Sequence, residues 1–254
     1  MIGIDLSEHT AVITGASGEL GRVIARTLAR AGARLALHYH RGRERAGHLL
    51  DELRAEGASA VTVGADVAQP EEVLAMRDRV HAELGPVDII VNNAVIQYSW
   101  RPILEQPLAD YAGQFESCVL HAVHMARAFV PDMIEKQWGR VIGINTECAM
   151  QCFETQSAYA AAKRGMDGVL RVLAREVGPH RITVNQVAPG WMVSDKHRAA
   201  GREHQPDYER TVPLRRRGTD QDVANALAFL ASDLAGFITG AYLPPREPER
   251  YYDE

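Results

Sequence analysis

Short apolar, β-branched runs alternate with longer amphipathic stretches along this chain, and that alternation leaves few folds open. Strands that rejoin one sheet through intervening helices run parallel, and a parallel sheet needs helices over both faces. The first run, residues 10–14, leads into a glycine-rich turn. A helix follows, with Leu20, Ile24 and Leu28 at i, i+4 spacing. Further strands are expected at 34–39, 60–63, 87–91, 140–145, 181–187 and 239–243. Helices are expected at 43–56, 70–84, 108–136, 157–177 and 219–232, the second of these opened by Pro70 and the last carrying Asp220 and Asp222 in its first turn. The pattern predicts an α/β chain of the doubly wound, Rossmann type: one seven-stranded parallel sheet with helices on both faces.

The length of 254 residues suits a single such domain. It is expected to fill residues 1–243, with 244–254 as a proline-rich, charged tail. A net charge of -5 supplies no basic field for nucleic acid, and no apolar run nears the roughly 20 residues that cross a bilayer. The N-terminus has no basic and apolar leader pattern, so a cytoplasmic protein is expected. The three cysteines, Cys118, Cys148 and Cys152, fit a reducing compartment. Cys148 and Cys152 beside Glu147 lack a second ligand pair, so buried small side chains are expected there and no metal.

Gly15-x-x-Gly18-x-x-Gly21 lies between the first strand and its helix. Glycines there permit a tight turn and close approach of backbone to phosphate, and the helix N-terminus offers N–H groups. An acidic residue near the end of the second strand would grip ribose hydroxyls and favour NAD. Here the chain reads His38-Tyr39-His40-Arg41-Gly42-Arg43. His40 and Arg41 suit a 2′-phosphate instead, which points to NADP(H) rather than NAD.

Tyr159 and Lys163 stand at i, i+4 near the start of a helix, on one face. An ammonium beside a phenol favours phenolate and tunes the tyrosine for proton transfer. Gln97, Tyr98, Trp100, Met150, Phe153, Trp191 and Met192 fall on loops beyond the strand ends, where they would make a roomy, partly aromatic pocket. The polar segment 196–208 is either a plain surface loop or, as the family resemblance carried by the motifs that follow implies, a substrate lid that gates entry.

Together Thr14-Gly15, Asn92-Asn93-Ala94, Tyr159-x-x-x-Lys163, Asn185, Pro189-Gly190 and the stretch from Asp222-Val223-Ala224-Asn225 to Phe237-Ile238-Thr239-Gly240 resemble the short-chain dehydrogenase/reductase family. The resemblance runs from about Asp5 to Leu243 and is strongest to its β-ketoacyl-ACP reductase-like members. It implies that Tyr159 protonates a carbonyl while hydride arrives from a nicotinamide. It also implies that Lys163 lowers the tyrosine pKa and holds the nicotinamide ribose. Asp66 would lie beside the adenine, with Val67 next to it. Ser17 and Leu20 would join the glycines at the phosphates. Asn92, Asn93 and Ala94 would line the groove, and Pro189, Gly190 and Ser194 would border the nicotinamide. The family's helices also pair with copies in other subunits, so a tetramer or dimer is implied.

Three positions depart from the family pattern. Thr146 stands where the family has serine, thirteen residues before the tyrosine. Cys118 stands at the family asparagine, whose main-chain carbonyl would serve the relay. Glu19 takes a glycine's place in the phosphate loop, where a carboxylate opposes a pyrophosphate. The expected activity is NADPH-dependent reduction of a ketone, free or carrier-linked, to a secondary alcohol. Alternatives are an alcohol or polyol dehydrogenase working oxidatively, or a non-catalytic dinucleotide-binding protein.

Overall fold

The computed structural model describes residues 3–244. The first half runs β1 (Thr10–Ile13), α1 (Glu19–Arg30), β2 (Arg34–Tyr39), α2 (Arg43–Ala55), β3 (Ala60–Gly64), α3 (Pro70–Leu84) and β4 (Ile89–Asn92). Then come α4 (Leu108–Phe115), a π-helical turn (Glu116–Leu120), α5 (His121–Lys136), β5 (Gly139–Ile144) and α6 (Cys148–Gln151). The chain closes with α7 (Ser157–Val177), β6 (Ile182–Val187), α8 (Asp195–Ala199), α9 (Pro206–Thr211), α10 (Asp220–Ala231) and β7 (Tyr242–Leu243). The expected tail lies outside the described residues, save Pro244.

All seven strands are parallel, in the order β3-β2-β1-β4-β5-β6-β7. Alternate side chains of each strand enter opposite cores. Ala11 and Ile13 of β1, with Ile89 and Val91 of β4, pack against Ile24 and Leu28 of α1 and Val223 and Leu227 of α10. Val12 and Ile90 from the same strands face the other way, toward Met76 of α3, Phe129 of α5 and Leu170 of α7. The near-continuous apolar character of the strands is what burial on both faces requires.

Two elements differ from the periodic reading. The single helix expected at 108–136 is interrupted by the π turn, because one extra residue per turn leaves an apolar pattern nearly unaltered. The last strand is only two residues long, paired at Gln186↔Tyr242 and Val187↔Leu243. Of the two acids at the start of α10, Asp222 closes a capping box with Thr219, whereas Asp220 is buried and its carboxyl is pushed up to about 6 by that burial.

Two histidines are sealed into the fold. His38 and His121 are each 1 % exposed. Burial pushes His38 down to about 4 and His121 to about 3. Both are therefore neutral in the folded state at pH 5–7, while the unfolded chain protonates them near 6.5. As pH falls below 6.5 the unfolded state gains protons that the folded state refuses, so stability drops by up to about 1.4 kcal/mol per pH unit for each histidine. Urea unfolding at pH 7 and 5.5 is expected to show a lower midpoint at 5.5, with the two histidines outweighing the single buried Asp220, which takes up a proton only in the folded state and so opposes them. Equal midpoints would mean that these histidines do not stay neutral.

Candidate active site

Strand order reverses direction between β1 and β4, and a doubly wound sheet opens a crevice there, at the carboxyl ends of its strands. One residue ties the two strand ends together. Thr14 Oγ1 donates to the Val91 carbonyl (3.1 Å) and accepts from the N–H groups of Asn93 (2.9 Å) and Ala94 (3.0 Å). The Asn93 amide returns the link by donating to the Thr14 carbonyl at 2.9 Å.

A cavity of about 940 Å³ opens from this seam. Gly15, Ser17, Gly18, Leu20 and Gly21 form its floor at the N-terminus of α1. Gly15 holds φ +65°, a left-handed conformation that glycine adopts without strain. A β-carbon on Gly21 would stand 2.3 Å from the Gly15 carbonyl oxygen, so no larger residue fits the loop. The Gly15 N–H donates to His38 Nδ1 at 3.0 Å, and His38 Nε2 meets the Ala65 carbonyl at 2.9 Å. The neutral histidine thereby braces the loop against β2 and the end of β3. His40, Arg41, Asp66 and Val67 line one end of the cavity, and Pro189, Gly190 and Ser194 the other. A bare glycine cradle at a helix N-terminus, in a crevice this long, fits a dinucleotide.

Thr146, Tyr159 and Lys163 also line this cavity. Asn145, at the end of β5, orients two of them. Its amide donates to the Lys163 carbonyl (3.0 Å) and to Gln186 Oε1 (2.6 Å), while its Oδ1 accepts the Thr146 N–H (2.9 Å). Thr146 Oγ1 accepts the Cys148 N–H at 3.2 Å, which leaves its own proton to donate. Lys163 is 2 % exposed and donates from Nζ to the Ile144 carbonyl at 2.6 Å.

The electrostatics differ from the simple pairing of ammonium and phenol. Lys163 Nζ lies 5.8 Å from the centre of the Tyr159 ring. Burial pushes the Tyr159 phenol up from its ordinary value, and a hydrogen bond with Thr146 offsets part of the rise. Burial likewise pushes the Lys163 ammonium down. In this structure desolvation outweighs any lowering by Lys163, so Tyr159 is held protonated.

A second cavity of about 560 Å³ adjoins the first at Thr146, Tyr159 and Gly190. Gln97, Tyr98, Trp100, Phe153 and Trp191 line it as expected, but Met150 and Met192 do not. Tyr98 Oη accepts the Tyr159 N–H at 2.8 Å and so fixes the start of α7. The segment 196–208 forms α8 and the start of α9. Tyr208 of α9 donates to Glu147 Oε1 (2.9 Å) and accepts the Trp191 N–H (2.8 Å).

Several expectations need correction. Cys118 does not reach the dinucleotide cavity: its side chain is 1 % exposed and packs with Val119 and Ala162. The π turn brings its neighbour Ser117 to the cavity wall instead, and the Cys118 carbonyl accepts the His121 N–H. Asn92 is buried beneath the groove, with neither amide atom hydrogen-bonded, and Asn93 takes its place at the surface. Cys152 is exposed and Cys148 half-buried, so only Cys118 is a buried small side chain. No group of three or more His, Cys, Asp or Glu among the described residues could hold a metal. Glu19 does line the cavity, at the first turn of α1. Arg45 and Ser117 went unread in the sequence, for each is carried to its place by a turn of helix with no motif of its own, and Tyr208 was read only as the end of the polar segment 196–208.

The geometry matches known proteins closely. The family described as Enoyl-(Acyl carrier protein) reductase matches residues 15–244. The 3-oxoacyl-[acyl-carrier-protein] reductase of Escherichia coli is 37% identical over 92% of this chain and 93% of its own length. That of Staphylococcus aureus is 35% identical over 91% of this chain and 94% of its own. Among solved structures, a 7α-hydroxysteroid dehydrogenase complexed with NADH and 7-oxo glycochenodeoxycholic acid superposes with a TM-score of 0.87 and 30% identity, covering 96% of both chains. A putative gluconate dehydrogenase from Agrobacterium tumefaciens gives 0.88 and 28%, with the same coverage. With its sheet order, glycine loop and Thr146-Tyr159-Lys163 constellation, this chain belongs to the short-chain dehydrogenase/reductase family of oxidoreductases.

Proposed function

We propose that the protein reduces a ketone to a secondary alcohol with NADPH, using Tyr159 as general acid. The observation that carries this reading is the convergence of Thr146, Tyr159 and Lys163 where the dinucleotide cavity meets the aromatic pocket. A bound NADPH supplies the hydride. Tyr159, held protonated by burial, gives its proton to the carbonyl oxygen as negative charge develops there. Thr146 Oγ1, in contact with the phenol, donates a second hydrogen bond to that oxygen. Lys163 supports the phenolate left behind and would hold the nicotinamide ribose, with Pro189, Gly190 and Ser194 around the ring and Asn93 and Ala94 along the groove. Asp66 and Val67 would take the adenine. The related reductases named for 3-oxoacyl groups on acyl carrier protein support a ketone substrate, whether free or carrier-linked. Three unbridged cysteines suit the reducing cytoplasm, and no helix among the described residues is long and apolar enough to cross a membrane.

Ser17, His40, Arg41 and Arg45 gather at one end of the dinucleotide cavity, with Gly42 so close that a β-carbon there would lie 2.7 Å from Ser17 Oγ. This basic corner supports NADPH over NADH. Charge-assisted hydrogen bonds contribute about 1.5–3 kcal/mol each, so Arg41→Ala and Arg45→Ala are expected to raise KM for NADPH roughly tenfold or more and leave that for NADH nearly unchanged. Equal use of both cofactors by the unaltered protein would overturn the preference.

Tyr159→Phe is expected to lower kcat by roughly two to four orders of magnitude while NADPH fluorescence still reports binding. Thr146→Val removes one donor to the developing charge and should cost roughly two to three orders, whereas Thr146→Ser keeps activity. Near-normal turnover in Tyr159→Phe would assign the proton to another group.

We also propose a dimer or tetramer. Met125, Phe129 and Leu170 of the helices expected to pair face the core, but Leu104 (96 % exposed), Leu108 (85 %) and Phe237 (104 %) stand in solvent on the single chain as apolar surface that a second copy would cover. Light scattering at micromolar concentration is expected to give at least twice the monomer mass, and a monomer would contradict this.

A further inference from the structure

The pocket beside Tyr159 is walled by rings. Tyr98, Trp100, Phe153, Trp191 and Tyr208 line it together with Tyr159, and Ile96 is the one aliphatic side chain among the described residues of its wall. That choice of side chain matters to a guest. Any apolar wall rewards the burial of an alkyl chain in proportion to its area. A wall of rings gives an aromatic guest offset-stacked and edge-to-face contacts in addition, and gives them to nothing else.

One ring of the wall is held firmly. Trp191 meets Tyr208 with ring centres 5.7 Å apart and an angle of 71°, and the Arg217 guanidinium lies 4.8 Å from the Trp191 ring centre. Arg217 also donates to the Trp191 and Met192 carbonyls, and Tyr208 Oη accepts the Trp191 N–H. Trp100 and Phe153 differ. Each lines the cavity and is about half exposed (50 % and 53 %), yet among the described residues neither meets another ring. Aromatic pairs form with ring centres about 4.5–7 Å apart. Two large rings that find no such neighbour within their own chain, on the wall of a cavity of about 560 Å³, leave those contacts for what enters it.

We propose that this pocket selects ketones bearing an aromatic ring a few bonds from the carbonyl, with Trp100 and Phe153 as the specificity-determining residues; this rests on the reductase reading above. The carbonyl lies against Thr146 and Tyr159, which line both cavities, and the aromatic ring lies among Trp100, Phe153 and Trp191. The carbonyl takes the NADPH hydride at carbon and the Tyr159 proton at oxygen. The substrate class is thus a small aryl-substituted alkyl ketone, reduced to the aryl-substituted secondary alcohol.

Two ketones that differ only in the saturation of one ring test this: 4-phenylbutan-2-one and 4-cyclohexylbutan-2-one, followed by NADPH oxidation. The cyclohexyl ketone has the larger apolar surface, so burial alone favours it. The expected kcat/KM ratio, phenyl over cyclohexyl, is nevertheless on the order of ten. Trp100→Leu and Phe153→Leu should each lower the ratio roughly threefold or more, and Trp100→Tyr should keep it above one. Both side chains are half exposed, so shortening them leaves the core intact. A ratio at or below one in the unaltered protein overturns the inference and leaves the reductase reading standing. A ratio that neither leucine variant alters overturns the assignment to Trp100 and Phe153. If neither ketone is turned over, the reductase reading fails for such ketones, and binding decides the inference. Calorimetry with 4-phenylbutan-2-ol against 4-cyclohexylbutan-2-ol should then favour the phenyl alcohol in the unaltered protein and lose that preference in Trp100→Leu. Equal binding of the two would overturn the aromatic site.

Discussion

The seam between β1 and β4 carries the rest of the molecule. Two parallel strands diverge there, and the crevice that results would gape without a link across it. Thr14 provides the link with one hydroxyl, which donates once and accepts twice, and Asn93 doubles it from the other side. The glycine loop hangs from this seam. It is steadied on its far side by His38, whose ring must be neutral to accept the Gly15 N–H. A charge-free interior brace under the glycine loop is a specific solution: it holds backbone in place without burying a cation beneath it.

Thr146, Tyr159 and Lys163 depend on the same economy of positioning. Asn145 spans β5, β6 and α7 with three hydrogen bonds, so Thr146 and Lys163 are placed relative to each other by one buried amide. Burial keeps the Tyr159 phenol protonated and lowers the ammonium's hold on its own proton. Both effects suit a group that gives a proton away and must later be resupplied.

Much of this was readable from residue order, and the reasons are physical. Strand and helix periods survive translation into packing, so the alternation of 10–14, 34–39 and their successors led to the right sheet. The glycine spacing and the Tyr159-Lys163 pair lie within single turns, where spacing in sequence is spacing in space. The π turn at Glu116–Leu120 was not readable, because a one-residue excess barely shifts an apolar stripe, and it exchanges Cys118 for Ser117 at the cavity wall. Nor was the contact between Glu147 and Tyr208, which lie 61 residues apart and meet only once α9 has folded against the sheet end. The rise in the Tyr159 pKa was missed for a related reason: spacing reports a neighbouring charge but says nothing of how much water remains.

The shortest strand has an unexpected reach. Tyr242, in the two-residue edge strand β7, donates its hydroxyl to the Thr146 carbonyl at 2.5 Å and lies 3.4 Å from Asn145 Oδ1. Edges of sheets open before their centres do. On gentle heating, the rim of the sheet would therefore let go of Thr146 while the interior is still intact. The hold on Thr146 would then be governed from the periphery, by a strand that contributes almost nothing to the core.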